Sequence, residues 1–445
     1  MFTTNEKLNR TVGIYTLGCK VNQYESEAIA EYLESNGISV LPLPAFCDAY
    51  IINTCTVTAE SDRKARQFIR RAISKNPSAY VIVTGCFAQS SPEDIAKIEG
   101  VDFICGNTEK LIAAKKIIEY FNTNKQKSCP EIYVNDIDSA DFEEMSITKF
   151  DRTRAYVKIE DGCENRCSYC IIPSARGKVR SKDPQSIISE VEILAKNGCK
   201  EIVLTGIETA SYGKDLGNIT LADLLCRVDK IPGIERIRLG SLDPSLITPD
   251  FVNKIAKLKT LAPHFHLSLQ SGSSRVLALM RRKYNADMAM NAIRLLRESI
   301  PNVCFTTDVI VGFPQETQED FEATVDFVRK AEFLTVHIFP YSSRKGTEAA
   351  KMKGQIDGEE KSRRLHALEA VANESCDSIL KEQILNAPLK KVLFETFDGT
   401  YAYGHTDNFL EVAVRSDIDL KSQIFNVQLT HTDKNICFGN IIDNL

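Results

Sequence analysis

What most limits the folds open to this chain is an alternation of short β-rich runs with helical stretches, in two successive blocks. In the first, "VGIYTLGC", "AYIINTC", "YVIVTGC" and "FICG" are nearly continuous in β-branched and apolar residues, as strands covered on both faces must be. Between them, "QYESEAIAEYLESNG", "AESDRKARQFIRRAISK" and "SPEDIAKI" repeat apolar residues at helical spacing, with Ser or Asp near the starts. The pattern predicts an α/β domain over residues 11–121 built on an open parallel sheet. A polar stretch, "NTNKQKSCPEIYVNDIDSADFEEMS", follows without strong periodicity and is expected to be a linker or domain margin.

The second block, placed at residues 149–375, offers six further strand candidates: "AYVKIEDGC", "EIVLTGIE", "RIRLGSLDP", "HFHLSLQSG", "CFTTDVIVGF" and "TVHIFPYS". Six βα units in series predict a partial (β/α)6 barrel. In "HFHLSLQ", His264, His266, Ser268 and Gln270 fall on one face, with Phe265, Leu267 and Leu269 on the other. A barrel filled only for stability would place branched apolar residues inside, so the polar face points to a bound ligand. Residues 376–445 are strand-rich with Gly, Asp and Asn turns, which predicts a small closed β-barrel, joined through the helical stretch "EEKSRRLHALEAVANESCDSILKE".

Fourteen cysteines are many for a reducing compartment, yet they are scattered through 445 residues rather than stapling a small secreted domain. No apolar segment approaches the length that spans a bilayer and no leader pattern opens the chain, so a cytoplasmic protein with no membrane partner is expected. Cys163, Cys167 and Cys170 sit within eight positions just after a predicted strand, where barrel chemistry is normally mounted. Soft thiolates favour zinc or iron–sulfur clusters, but a structural zinc usually takes four closed ligands and no fourth follows nearby. A four-iron cluster on three cysteines leaves one iron open to a substrate or cofactor. Cys19, Cys55 and Cys86 each end a predicted parallel strand, at the edge where open α/β sheets bind ligands, and suggest a second set of three. Cys105 also ends a strand and is a possible fourth ligand, neighbour or bystander. Cys47, Cys129, Cys199, Cys226, Cys304, Cys376 and Cys437 read as small apolar residues or surface thiols.

The loop "GCENRCSYCIIPSARG" resembles the three-cysteine signature of the radical S-adenosylmethionine superfamily. With "GCKVNQYESE", "INTCTVTAES", "VTGCFAQ", "LSLQSGS", "TDVIVGFPQET" and "HIFPYSSRKGT" in order, nearly the whole chain resembles the methylthiotransferase family. That resemblance implies a radical S-adenosylmethionine barrel, a TRAM-like tail and two [4Fe-4S] clusters. One, on Cys163, Cys167 and Cys170, would cleave S-adenosylmethionine to a deoxyadenosyl radical. The other, on Cys19, Cys55 and Cys86, would supply or present sulfur; Cys105 is then a bystander. Cofactor contacts are expected from Tyr169, Gly206, Glu208, Ser268, Gln270, Asp308 and Gly312. A second S-adenosylmethionine would supply the methyl group, an electron donor such as flavodoxin or ferredoxin the reducing power, and the two clusters would share one cavity.

"GHTDNF" in the tail resembles the branch acting on N6-threonylcarbamoyladenosine in tRNA, although Glu208 stands where that branch is expected to carry His. The alternatives are a ribosomal-protein aspartate, N6-isopentenyladenosine in tRNA, or a non-enzymatic iron–sulfur sensor. The net charge of −5 gives no global pull toward nucleic acid, and residues 376–445 carry six Lys or Arg against ten Asp or Glu. RNA phosphates would instead meet local basic runs. These are "SDRKARQFIRRAISK", where replacing Arg66 and Arg70 with Glu is expected to weaken tRNA binding, "ARGKVRSK", and "MRRKYN" with Arg281, Arg282 and Lys283.

Overall fold

The computed structural model describes residues 10–123, 129–150 and 152–442. They form two compact units that interleave along the chain. The first gathers the residues up to Lys149 with Glu160–Glu164 and Cys170–Lys182; the second takes Phe150–Ile159, Asn165–Tyr169 and Asp183 onward.

The first unit is built on strands β1 (Thr11–Thr16), β2 (Ser39–Leu41), β3 (Ala49–Thr54), β4 (Tyr80–Gly85), β5 (Phe103–Cys105) and β6 (Glu131–Tyr133). All pair in parallel, in the order β2-β1-β3-β4-β5-β6. Every residue of β3 and β4 is buried, which explains their unbroken apolar runs. Helix α1 (Lys20–Ser35) buries Val21, Tyr24, Ala28, Ile29 and Leu33, and helix α2 (Ala59–Lys75) buries Ala65, Ile69 and Ala72. Thr58 caps α2 by accepting the Ser61 N–H at 3.0 Å.

The expectation of a linker after residue 121 is corrected here. β6 lies inside that stretch and pairs with β5, Phe103 opposite Glu131, while Ile137, Met145 and Ile147 are buried. Three residues are too few to display a period of two, so the sequence hides this edge strand.

In the second unit, strands Ala155–Lys158, Glu201–Thr205 and Arg236–Leu239 form one parallel sheet, and His264–Gln270, Cys304–Val311 and Thr335–Pro340 form another. Parallel bridges Ile237 to Leu261 and Leu242 to Leu267 join them into the six-stranded partial barrel. The expected two faces of "HFHLSLQ" are present from residue 265 on: Phe265, Leu267 and Leu269 are buried and His266, Ser268 and Gln270 are partly open, whereas His264, expected on the polar face, is buried. A 29-residue helix, Gly358–Asn386, leads to a closed five-stranded barrel in the order Leu389–Phe397, Tyr401–Thr406, Glu411–Arg415, Ile436–Ile441, Ile424–Asp433. Among the described residues, no helix is long and apolar enough to cross a membrane.

Candidate functional site

The strand order of the first unit reverses between β1 and β3, and the carboxyl ends flanking such a switch point form the natural ligand crevice. Cys19 stands there as the N-cap of α1, and Cys55 directly follows β3. Cys86 follows β4 and opens the short helix α3 (Cys86–Ser90). Gly18, at φ +94°, lets β1 and β3 close up: a Cβ on it would lie 2.7 Å from Cys55 Cβ and 2.9 Å from its Sγ.

The three thiols feel one another. Burial pushes Cys55 up to about 11, helped by Cys86 and Cys19. Cys19 is open as a residue, yet crowding around its sulfur raises its pKa, with Arg176 pulling the other way and Cys86 adding to the rise. Among the described residues no cysteine forms a disulfide. Three thiols at a crevice, with Cys86 opposing ionisation of both Cys19 and Cys55, suit a thiophilic metal group that displaces the protons. Cys105 is buried at the end of β5 and pushed up to about 11 by burial, with Thr84, Lys110 and Glu143 rather than another cysteine as its neighbours.

A buried charged group surrounds this set. Arg176, 0% exposed, donates from Nε to Cys86 Sγ at 3.3 Å, from Nη1 to Glu25 at 2.6 Å and Asp161 at 3.1 Å, and from Nη2 to Asn22 Oδ1 at 2.5 Å. Burial alone would lower its pKa, but Asp161, Cys86 and Glu25 overrule that and keep it charged. Lys110 Nζ meets Glu25 at 3.1 Å and Asn53 at 3.0 Å, and Asn107 Nδ2 lies 3.6 Å from Cys86 Sγ. The reading of "ARGKVRSK" as a phosphate-binding run is therefore corrected. Arg176, Arg180 and Lys182 are buried, with Arg180 on the carbonyls of Ile137 and Arg176 and Lys182 on that of Met145. The partners come from far along the chain, and a basic run does not reveal them.

The loop carrying Cys163, Cys167 and Cys170 starts at Gly162, whose φ of +87° and a would-be Cβ 1.8 Å from the Lys178 carbonyl require glycine. The Cys163 N–H donates to Gly177 O at 2.9 Å, and Cys170 Sγ accepts the Ile172 N–H at 3.4 Å. Cys167 Sγ accepts from Arg282 Nη1 at 3.3 Å; Arg282 also holds Asp243 at 2.8 Å and the Tyr284 hydroxyl at 3.0 Å. In "MRRKYN", then, Arg281 and Lys283 are exposed but Arg282 is committed to a cysteine. Ser168 anchors the loop: its N–H donates to Met280 O and its hydroxyl to Leu279 O.

The expected cofactor contacts occupy varied positions. Tyr169 packs edge-on against Phe313, ring centroids 6.4 Å apart. Gly206 follows strand Glu201–Thr205, and Glu208 accepts from Asn165 at 2.9 Å, its carboxyl pushed up by burial and by Asp243. The Ser268 carbonyl accepts from Arg282 and Tyr284, and Gln270 ends its strand at φ +68°. Asp308 meets His266 Nε2 at 3.2 Å, and His337 brings a third donor within 4.8 Å. The space beside Gly312 is filled: a Cβ there would lie 2.3 Å from Lys361 Cγ, and its N–H donates to Glu316 at 2.5 Å.

"GHTDNF" turns out to be a joint. Arg236 donates to the carbonyls of Lys391 and His405, and Arg238 to those of Thr406 and Asp407; buried Glu201 pairs with both arginines. Phe409 stacks on His264 at 4.4 Å and on His405 at 4.7 Å. Along α2, Arg63 pairs with Glu60, and Arg66 lies over the Phe87 ring at 4.7 Å and 4.0 Å from Asp94; Arg70, Arg71 and Lys75 are exposed.

Sequence reasoning missed Arg176, Glu25, Arg282 and Asp243 as members of these sites. One cue existed: Glu25 sits on the apolar face of α1, between Val21 and Ile29, where a charge needs a buried partner.

Residues 157–328 match the Radical SAM superfamily, and residues 11–106 match "Uncharacterized protein family UPF0004". The chain is 39% identical to the Bacillus subtilis threonylcarbamoyladenosine tRNA methylthiotransferase MtaB, over 94% of this chain and 93% of that protein. It is 41% identical to the Thermotoga maritima enzyme of the same name, over 87% of each. It is 37% identical to a Clostridium botulinum tRNA-2-methylthio-N(6)-dimethylallyladenosine synthase, over 88% of this chain and 89% of the other. Among solved structures, the radical S-adenosylmethionine methyltransferase TsrM from Kitasatospora setae shares the fold, with a TM-score of 0.55, 17% identity and 77% of each chain covered.

Proposed function

The chain belongs to the radical S-adenosylmethionine methylthiotransferase family, and on that premise we propose that it converts N6-threonylcarbamoyladenosine, beside the anticodon of tRNA, to its 2-methylthio derivative. The observation that carries the substrate assignment is the 39% identity to the Bacillus subtilis enzyme across almost the full length of both chains.

The target is an aromatic carbon with no acidic proton and no leaving group, so proton transfer or nucleophilic attack by side chains has no handle on it. When bound, iron–sulfur clusters and S-adenosylmethionine supply radical C–H activation, sulfur and methyl. We assign one [4Fe-4S] cluster to Cys163, Cys167 and Cys170 and a second to Cys19, Cys55 and Cys86. The two donor sets fit such groups: each offers three thiols, and Cys105, although it ends β5, has Thr84, Lys110 and Glu143 rather than a cysteine of the strand-end set beside it.

The chain's own residues bind and orient. Cys19 opens α1 as its N-cap, at the strand ends that also carry Cys55 and Cys86. Arg282 fixes one sulfur of the loop set, and Ser168 holds the loop backbone in place. Exposed Arg70, Arg71 and Lys75 offer charge for RNA phosphates. A one-electron donor such as flavodoxin or ferredoxin completes the proposal, with the cytoplasm as the place of action.

Nucleoside mass spectrometry of tRNA from a strain lacking the gene provides the test. The 2-methylthio-threonylcarbamoyl nucleoside should vanish while its precursor accumulates, and the gene on a plasmid should restore it. Loss of the 2-methylthio-dimethylallyl nucleoside instead would move the chain to the sister branch, and unchanged levels of both would end the tRNA reading.

A further inference from the structure

We infer that Arg176 is a positioning residue for the second cluster: it holds the three cysteine-bearing segments in register and, through its bond to Cys86, raises the cluster's reduction potential. The inference rests on the proposed assignment of Cys19, Cys55 and Cys86 to that cluster.

The geometry goes beyond what neutralising a buried charge requires. Glu25 and Asp161 take Nη1, and Glu25 also meets Nη2 at 3.2 Å, which already pairs the guanidinium with two carboxylates. The remaining edge, Nε–H, is spent on Cys86 Sγ at 3.3 Å. Nη2 also grips Asn22 Oδ1 at 2.5 Å. The other end of that amide donates to two carbonyls, Leu17 O at 2.7 Å and Thr54 O at 3.0 Å. Those carbonyls lie two residues before Cys19 and one before Cys55. One arginine and one asparagine thus tie the segments bearing all three cysteines to one another. Lys110 on Glu25, and Arg180 at 3.7 Å from Asp161, brace the carboxylates from behind.

The electrostatic consequence follows from the donor. A cationic N–H on a ligating sulfur stabilises the more negative, reduced state of a cluster, and hydrogen bonds to the sulfurs are among the principal determinants of cluster potential. Lysine would keep the charge but not the planar fork, and could not serve a sulfur, an amide and two carboxylates together.

The test uses the full chain with Cys163, Cys167 and Cys170 all replaced by Ala, so that one cluster alone is loaded anaerobically. Iron content and the midpoint potential from an EPR-monitored redox titration are compared for this parent, for Arg176→Lys, and for Arg176→Met with Glu25→Gln, which removes one buried charge of each sign. Arg176→Lys should keep the parent's iron and titrate at a more negative potential; the double variant, which unties the segments, should shift further and hold its iron less tightly. Unchanged potentials at full iron would overturn the inference. Iron lost from both variants but kept by the parent would also overturn the tuning and leave a scaffold. A parent without iron would sink the cluster assignment itself, and the inference with it, before any variant is compared.

Discussion

The two cysteine sets are made in opposite ways. Cys163, Cys167 and Cys170 come from eight consecutive positions on one loop, so local backbone geometry does most of the placing. Cys19, Cys55 and Cys86 come from three strand ends, and nothing short of the folded parallel sheet brings them together. Both nevertheless present one sulfur to an arginine N–H at 3.3 Å, Cys86 to Arg176 and Cys167 to Arg282. Their supports differ as their origins do. Arg282 leans on Tyr284, two residues along, and on Asp243; Arg176 reaches Glu25, 151 positions away. A motif on a loop is portable, whereas one assembled from strand ends is only as sound as the sheet beneath it.

The strongest way to break this comparison is to remove one thiol from each set. Cys167→Ala should abolish formation of 5′-deoxyadenosine from S-adenosylmethionine. Cys55→Ala should preserve that cleavage while abolishing methylthiolated product, and loss of both activities in Cys55→Ala would mean the sets do not divide the labour. A smaller effect should come from Gly18→Ala. The new methyl would strike Cys55, in a backbone conformation that itself costs about 1–3 kcal/mol for a side chain. Gly37→Ala, at φ +77° with open space around it, carries the backbone cost alone. Thermal unfolding should rank Gly18→Ala below Gly37→Ala, and only the former should lose iron from the strand-end set; equal melting would show that the close approach is relaxed at little cost. The smallest change should follow Arg70→Glu with Arg71→Glu. Weaker tRNA binding and a salt dependence flatter by about 1–2 units of slope are expected with both iron contents intact. An unaltered slope would remove α2 from the RNA surface.

Both cysteine sets were legible in the sequence for different reasons. The loop set shows as spacing; the strand-end set shows because "TLGC", "INTC" and "VTGC" each close a buried run, and the observed strands end at Thr16, Thr54 and Gly85. The partial barrel and the closed tail were legible through the same periodicity. Arg176 was not. Its surroundings in "ARGKVRSK" look like a solvated basic run, and the carboxylate that buries it lies on α1. Arg282 was hidden likewise in "MRRKYN". A sequence displays the sign of a charge, but its desolvation depends on what the fold sets opposite it. "GHTDNF" shows the converse: motif resemblance singled it out for substrate choice, and the fold uses it to fasten the tail barrel.

That fastening has an evolutionary corollary. Arg236 and Arg238 grasp main-chain oxygens of Lys391, His405, Thr406 and Asp407, and every amino acid carries such an oxygen. At exposed Lys391 the grip is indifferent to the side chain, so that position is at liberty to drift, and a lineage could respecify it without loosening the barrel's mooring.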